Sequence, residues 1–426
     1  MTISGTISSL NINGNVTTNN VTGKLNIPQV SGSITYSPTI IVNPYGPEAT
    51  ALFNRMAIQP STALKQLIDK TISDLKTAGI WQITDKLHKW DLHTEQASLL
   101  DWKNPAHNAV QNGTSVSYYP SDGVYTSGTA YIDLSFIPET DFIYGTQDNV
   151  AYGLDDTTNV AVAGPNFGSV NTSNTSSFLF RTFQSVDTTY FRPWIWINSG
   201  LQTVWNSRPK ADTYSWLVNR TQAEGFRAYT SPSVTTGYRA SQSVTPSNQS
   251  LLLGAYMAYT GVPVRAPINT SLLWIGAGLT DEQITAYYTI MQYWKDNIAI
   301  ALTDLYGAEM IVNGTFDTDT KWSKGAGVSI ENGKAVFNNA SVGAGINQGI
   351  GMQEGKTYRI EFTVSDYVSG NAMIYFYGSN QYGVSRLGNG RFVQHITATA
   401  NVGNFSIITS GSGTFKIDNV SVKELL

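Results

Sequence analysis

The chain of 426 residues contains no cysteine, which excludes disulfides, thiolate metal sites and thiol nucleophiles. Charge is scarce as well: Asp, Glu, Lys and Arg make up 13% of the residues, where a globular chain carries about a quarter. With 26 basic against 30 acidic side chains and a net charge of −4, no field is available to hold a polyanion, so nucleic-acid binding is disfavoured. No apolar run is long enough to cross a bilayer, and the first residues have neither a basic flank nor a continuous apolar stretch. The expectation is therefore no membrane insertion and no secretory signal. Histidine is also rare. His88, His93, His107 and His395 are the full set, and no His-Glu-x-x-His motif occurs, so a helical zinc site is not expected.

What the chain does have is aromatic side chains, at 12%, and an abundance of Ser, Thr, Asn and Gly. That composition suits a mainly β protein with polar, uncharged surfaces. The first residues carry an internal repeat: Gly5, Gly14, Gly23 and Gly32 fall nine residues apart. Each is flanked two positions away by aliphatic residues (Ile3/Ile7, Ile12/Val16, Val21/Leu25, Val30/Ile34), with polar residues between. Alternation of this kind predicts short strands with one apolar face notched by glycine. Eight aliphatic side chains bury too little surface to offset chain entropy alone, so the segment must pack on something. Closed rotational symmetry is the norm for homo-oligomers, and three chains around one axis enclose all the rows, so the repeat predicts a homotrimer. Docking on a larger particle, or a meander lying on the following domain, are the alternatives.

The remaining chain divides at Pro38, Asn43-Pro44 and Gly46-Pro47 and again near Gly307. This gives an anchor at 1–46, a domain at 47–307 with helices flanking a β-sandwich, and a second sandwich at 308–426. Ser61 caps a predicted helix with Leu64, Leu67, Ile68, Ile72 and Leu75 on one face and Gly79 as its stop. A second helical region is expected over about Thr84 to Trp102, recapped at Thr94. Short alternating strands with turn residues follow to Ile275. A last helix opens at Thr280, where Gln283 completes a capping box.

Candidate chemistry is thin. A glycosidase on a sandwich needs carboxylates alternating along one strand, and Glu139-Thr-Asp141-Phe-Ile143 lacks the third acid, so a polar loop is expected there and no catalytic residue is assigned. No cofactor is required by any motif. Asp317, Asp319 and Asp418 flank the two ends of the last domain and are the candidate ligands of a structural calcium. Sugar rings stack on exposed aromatic faces while amides fix their hydroxyls. In Asn371-Ala-Met-Ile-Tyr-Phe-Tyr377 the alternation puts Met373, Tyr375 and Tyr377 on one side. With Tyr382, Asn380, Gln381 and Arg386 on the adjoining loop and Trp322 nearby, these tyrosines form the candidate glycan platform.

Three stretches of the central region, QPSTALKQLIDKTISDLKTAGIW, LDWKNPAHNAV with YPSDGVYTSGTAYIDLSF, and LLWIGAGLTDEQITAYYTIMQYW, resemble a concanavalin A-like (laminin-G-like) module of bacteriophage virion proteins. The glycine repeat is similar to the anchoring region of fibre proteins in podophages of gut Bacteroidales, including crAss-like phages. Residues 309–426, with EMIVNGTFDTDTKW, GKTYRIEFTVSDY and GTFKIDNVSVKEL, resemble family 4/9 carbohydrate-binding modules, jelly-roll sandwiches in which a structural calcium often bridges the regions containing Asp317 and Asp418. The resemblance implies a structural fibre on the virion surface, head or tail, anchored to capsid or tail proteins and touching host-surface polysaccharide. The rival expectation is a capsule-degrading glycosidase with an appended binding module.

Overall fold

The structure is a computed structural model that describes residues 44–426 except 115, 127, 147, 157–163, 175–176, 185–187, 196–207, 210–213, 223–224, 232–233, 241–244 and 266–267. The repeat glycines Gly5, Gly14, Gly23 and Gly32 lie outside the described residues. The described part is mainly β, and three apolar cores organise it.

The first core sits beneath helices. Helix α1 spans Pro47–Phe53, α2 Thr62–Thr77 and α3 Asp281–Ala301. Both long helices begin where the capping chemistry places them. Ser61 accepts from Leu64 N at 3.2 Å, while Thr280 and Gln283 cap each other at 3.3 and 3.1 Å, so orphan amides of the first turn are satisfied. The apolar stripe of α2, Leu64, Leu67, Ile68, Ile72 and Leu75, is buried, and Gly79, at φ 69°, follows its last turn. Among the described residues no helix is long and apolar enough to cross a membrane.

The helices cover a six-stranded antiparallel sheet. Its strands are β1 (Thr84–Lys89), β4 (Val150–Asp156), β5 (Tyr214–Gln222), β6 (Gly225–Ser231), β7 (Val234–Ala240) and β8 (Leu272–Gly276), in the order β1-β8-β4-β5-β6-β7. The strands β2 (Val116–Tyr119) and β3 (Gly123–Thr126) form a hairpin in a separate three-stranded sheet, in which Ile268–Thr270 pairs with β3. Both faces of the six-stranded sheet are covered. Along β8, Leu272 and Trp274 enter the helix-side core while Leu273 and Ile275 enter a second core, shared with the facing sheet through Ile132, Phe167 and Leu253. A strand buried on both sides reads as an unbroken apolar run, as Leu-Leu-Trp-Ile does. In β4, Gly153 admits α3: a Cβ there would stand 1.9 Å from the Tyr287 hydroxyl.

The helix expected over Thr84–Trp102 does not form. Thr84–Lys89 is strand β1, hydrogen-bonded to β8 with Leu87 opposite Trp274, and only Glu95–Ser98 is helical, capped by Thr94 at 3.1 Å to Ala97 N. Every residue of β1 is buried. Of its charged side chains, Lys86 meets Asp101 at 2.9 Å and Lys89 lies 3.6 Å from Asp91, both in the interior.

The third core lies in the sandwich after Gly307, between two five-stranded antiparallel sheets. Its strands are β9 (Ser323–Lys324), β10 (Val328–Glu331), β11 (Lys334–Ala340), β12 (Gly345–Met352), β13 (Thr357–Ser369), β14 (Ala372–Tyr377), β15 (Gln381–Tyr382), β16 (Gly390–Thr397), β17 (Val402–Thr409) and β18 (Gly413–Glu424). One sheet runs β9-β12-β17-β14-β15, the other β10-β11-β18-β13-β16.

The second of these sheets turns its outer face to the hairpin β2–β3. Asp122, in the hairpin turn, accepts from Arg359 Nε at 3.1 Å and faces His395 Nε2 at 3.5 Å. The His395 ring stacks on Tyr119 with centroids 4.4 Å apart, and the Tyr306 hydroxyl donates to Pro120 O at 2.6 Å. Glu361 holds the other side of the Arg359 guanidinium at 2.8 Å. Burial works against the charge on Arg359, but the Asp122 and Glu361 carboxylates outweigh it and hold its pKa above the ordinary arginine value. Burial likewise pushes the His395 pKa down from 6.5 to about 4, against the opposing pull of Asp122.

Two outcomes are expected at this junction. Asp122→Ala leaves a nearly buried guanidinium with half its partners, and it should weaken the docking of the two sandwiches by about 3 kcal/mol. Calorimetry should then resolve two transitions for the variant and one for the parent, and the same single transition in both would argue against the clamp. His395 takes up a proton in the unfolded chain below pH 6.5 but not in the folded chain until about pH 4. Its contribution to stability is thus full above pH 6.5 and is lost as the pH falls to about 4. His395→Phe, which retains a ring on Tyr119, should show a shallower loss of melting temperature over that window.

Candidate functional site

The candidate tyrosines lie on the other sheet. Strand β14 alternates as its sequence requires: Ala372, Ile374 and Phe376 are in the core, at 1%, 0% and 0% exposure, while Tyr377 on the opposite side is 64% exposed. Tyr375 lies across from Tyr382 of β15 on one side and Ser406 of β17 on the other. The Tyr375 and Tyr382 rings stack at 4.8 Å and 27°, and Tyr377 meets Tyr375 edge-on at 5.7 Å. Cross-strand aromatic pairs of this kind hold their rings in place as well as stabilising the sheet. The Tyr375 hydroxyl donates to Asn380 Oδ1 at 3.0 Å. Its pKa is raised by burial and by the two neighbouring tyrosines, so the phenol stays neutral.

Tyr377 is paired with Asn404 and Tyr375 with Ser406, and these in turn pair with Gly349 and Asn347 of β12. On β12 the partly exposed Asn347 is followed by the exposed Gly349 and Gly351, which carry no side chain. A Cβ at Gly349 would have the Asn404 amide oxygen 3.4 Å away. The face thus combines an aromatic ridge with the amides of Asn404 and Asn347, while the Ser406 hydroxyl between the strands is buried at 3% exposure. An open depression lined by Gly351, Gln353, Glu354, Asn401 and Gly403 continues it at the strand ends. No outer-face residue of β12, β14 or β17 is charged. Neutral hydrogen-bonding groups beside apolar ring faces match the two sides of a sugar ring.

The other candidate residues lie elsewhere or serve the scaffold. Gln381 spends its amide on the loop after β16, donating to Thr397 O at 2.7 Å and accepting from Thr399 N at 3.1 Å. This holds the hairpin that carries Tyr382. Arg386 is turned away from the tyrosines. Its guanidinium lies 5.4 Å from the Phe392 ring centre and donates to Val393 O at 3.4 Å, and burial pushes its pKa down to about 10. Trp322 is 6% exposed, with its ring against Phe316 at 5.4 Å and its indole donating to Asn313 O at 2.9 Å. It is a core residue and offers no stacking face.

Asp317, Asp319 and Asp418 are not brought together. Asp317 accepts from the Thr315 hydroxyl at 2.8 Å, Asp319 pairs with Lys324, and Asp418 caps Asn419 N at 2.7 Å. The carbonyls of Thr318 and Thr320, which point into the same loop, are both taken by Asn313 Nδ2 at 2.8 and 3.0 Å. An amide closes the loop that the expected calcium would have closed. Among the described residues no group of three or more His, Asp or Glu side chains stands in metal-holding geometry. Glu139 and Asp141 fall in the short helix Pro138–Asp141, where Asp141 accepts from Ile137 N at 2.7 Å. Asn404 and Asn347 beside the tyrosines were not picked out from the sequence. The alternation of β17 and β12 contains them, but only the strand order puts them beside the tyrosines.

No protein-family model and no curated protein matches the chain. Solved structures do show partial likeness. One described as "CBM4 structure and function" is 20% identical with a TM-score of 0.22, over 27% of this chain and 99% of that one. Domain 4 of a GH43 extracellular arabinanase from Geobacillus stearothermophilus, solved with arabinotriose, is 14% identical with a TM-score of 0.33, over 48% of this chain and 98% of the other. The N-terminal cellulose-binding domain of Cellulomonas fimi β-1,4-glucanase C is 17% identical with a TM-score of 0.21, over 27% and 96%. The chain thus has distant structural likeness to carbohydrate-binding modules.

The two kinds of aromatic should separate on mutation. Tyr377→Ala is expected to leave the melting temperature within a degree or two, whereas Trp322→Ala should cost about 3–5 kcal/mol by opening the core. Equal losses in thermal denaturation would place the tyrosine ring in the core after all.

Proposed function

We propose that the protein is a non-enzymatic adhesion and display protein of a virus particle, a bacteriophage fibre. In this reading the N-terminal repeat anchors it and joins three chains, and the last sandwich contacts host-surface polysaccharide. The observation that carries the glycan reading is the solvent-facing cluster of Tyr375, Tyr377 and Tyr382 beside Asn404 and Asn347, on the sheet face opposite the Asp122 clamp. An exposed aromatic cluster on a polar, uncharged sheet marks a contact surface. It stays accessible because the docked face is the other one. The fibre reading rests on the glycine repeat, which needs neighbouring chains to bury its aliphatic rows.

A glycan array probed with the full chain tests the first part. Tyr377→Ala and Tyr382→Ala should each weaken any signal by about tenfold, the equivalent of some 1.4 kcal/mol. Binding that survives both changes would move the contact surface elsewhere. Steady release of reducing ends from a bound polysaccharide would instead make the protein an enzyme. For the second part, light scattering of the full chain should give three times the monomer mass, and Gly14→Val or Gly23→Val should lower it by placing a branched side chain where another backbone must approach. A monomeric parent would remove the assembly role of the repeat.

A further inference from the structure

Inside the central domain, the side chains of Lys86 on β1 and Asp101 in the loop beyond it are both fully buried, with Lys86 Nζ 2.9 Å from Asp101 Oδ2. The acid is held rigidly. Trp102 N donates to Leu87 O at 2.8 Å, tying the loop to β1, and Asp101 N donates to Asn108 Oδ1 at 3.0 Å. Its other oxygen, Oδ1, accepts from Lys103 N at 2.8 Å and Asn104 N at 3.1 Å. Two backbone amides on one carboxyl oxygen are the arrangement that stabilises an oxyanion at a tetrahedral carbon. On the remaining side, His88 Nε2 lies 3.9 Å from Oδ2. The imidazole is fully buried and stacked on Trp90 at 4.6 Å, and neither of its ring nitrogens has a hydrogen-bond partner among the described residues. A buried polar ring left unpaired is costly and asks for a role.

We propose that Lys86 and Asp101 condense after folding into an intramolecular amide that staples β1 to the loop following it. A proton first passes from the Lys86 ammonium to Asp101 Oδ2, 2.9 Å away, freeing the amine. Burial lowers the lysine pKa in spite of Asp101 and of the more distant Asp133 and Asp141. Nζ then attacks Cγ, and charge develops on Oδ1 against the amides of Lys103 and Asn104. The Cγ–Oδ2 bond breaks and Oδ2 leaves as water, carrying the proton already transferred and a second one from Nζ relayed by His88 Nε2. The single N–H that remains is left to donate to His107 O, which Nζ already contacts at 2.6 Å. One water is lost and nothing is oxidised or reduced. Holding amine and acid in contact replaces an encounter with an intramolecular step, the largest contribution such a site has to offer.

The test is the intact mass of the purified full chain. It should be lighter than the sequence mass by one water, and proteolysis should yield a branched peptide joining the segments that contain Lys86 and Asp101. Lys86→Met should restore the full mass. In His88→Phe, which keeps a ring on Trp90, the unreacted fraction should rise. A parent chain at its full sequence mass overturns the proposal, as does a deficit that persists in Lys86→Met. Complete reaction in His88→Phe removes the imidazole from the step.

Discussion

One carboxylate decides which side of the last sandwich can act. Asp122, in the turn of the β2–β3 hairpin, takes Arg359 and faces His395, both on the outer face of the sheet containing β13 and β16. A desolvated arginine between two carboxylates is fixed by geometry and by charge together. With that face committed, the tyrosine sheet is the one left in solvent. Domains in one chain normally share polar, mobile interfaces. Here the hairpin turn, the Tyr306 hydroxyl and the stacked Tyr119–His395 pair add contacts of different kinds at the same junction.

Much of this was legible in the sequence because it depends on neighbours along the chain. Ser61, Thr280 and Gln283 state their caps within a few residues, and β14 states its two faces by strict alternation. The tyrosine cluster was legible for the same reason: Tyr375 and Tyr377 share a strand face, and Tyr382 returns on the next strand. What failed depends on residues far apart. Trp322 looks like a surface aromatic until Phe316 and Asn313 are seen to enclose it. The aspartates look like a calcium set until Asn313 is seen to take the carbonyls. The Arg359–Asp122 contact spans 237 residues, and no local pattern announces it.

Strand β1 is the instructive failure. Leu87, Trp90, Leu99 and Leu100 suggest a helical region, in which Lys86, His88 and Lys89 would sit among the apolar residues. The structure instead buries these three in a strand, pairing Lys86 with Asp101 and placing Lys89 Nζ 3.6 Å from Asp91 and over the Trp294 ring at 4.8 Å. Helix α3 contributes its own anchors to the same layer, with Trp294 donating to Asp91 Oδ2 at 2.8 Å and Lys295 meeting Asp155 at 3.2 Å. A chain with few charges has placed several of them where they fix the register of helices on sheet. Buried ion pairs add little net stability. Contacts such as Trp294–Asp91 and Lys295–Asp155 do penalise any slip of helix over sheet, because a slip would leave a buried polar group unmatched.

The opposition of clamp and tyrosines also has a mechanical side. A pull applied at the tyrosine ridge enters β14, which lies between the edge strand β15 and β17 and is hydrogen-bonded to both. It then crosses the third core to β13 and reaches the central domain through Arg359 and Asp122, and through the Tyr306–Gly307 strap that is hydrogen-bonded to Glu424 O at 2.8 Å. These two routes act in parallel. Tension therefore has to part a polar junction and a strap at the same moment, so the joint would resist as a stiff bracket rather than pay out as a hinge.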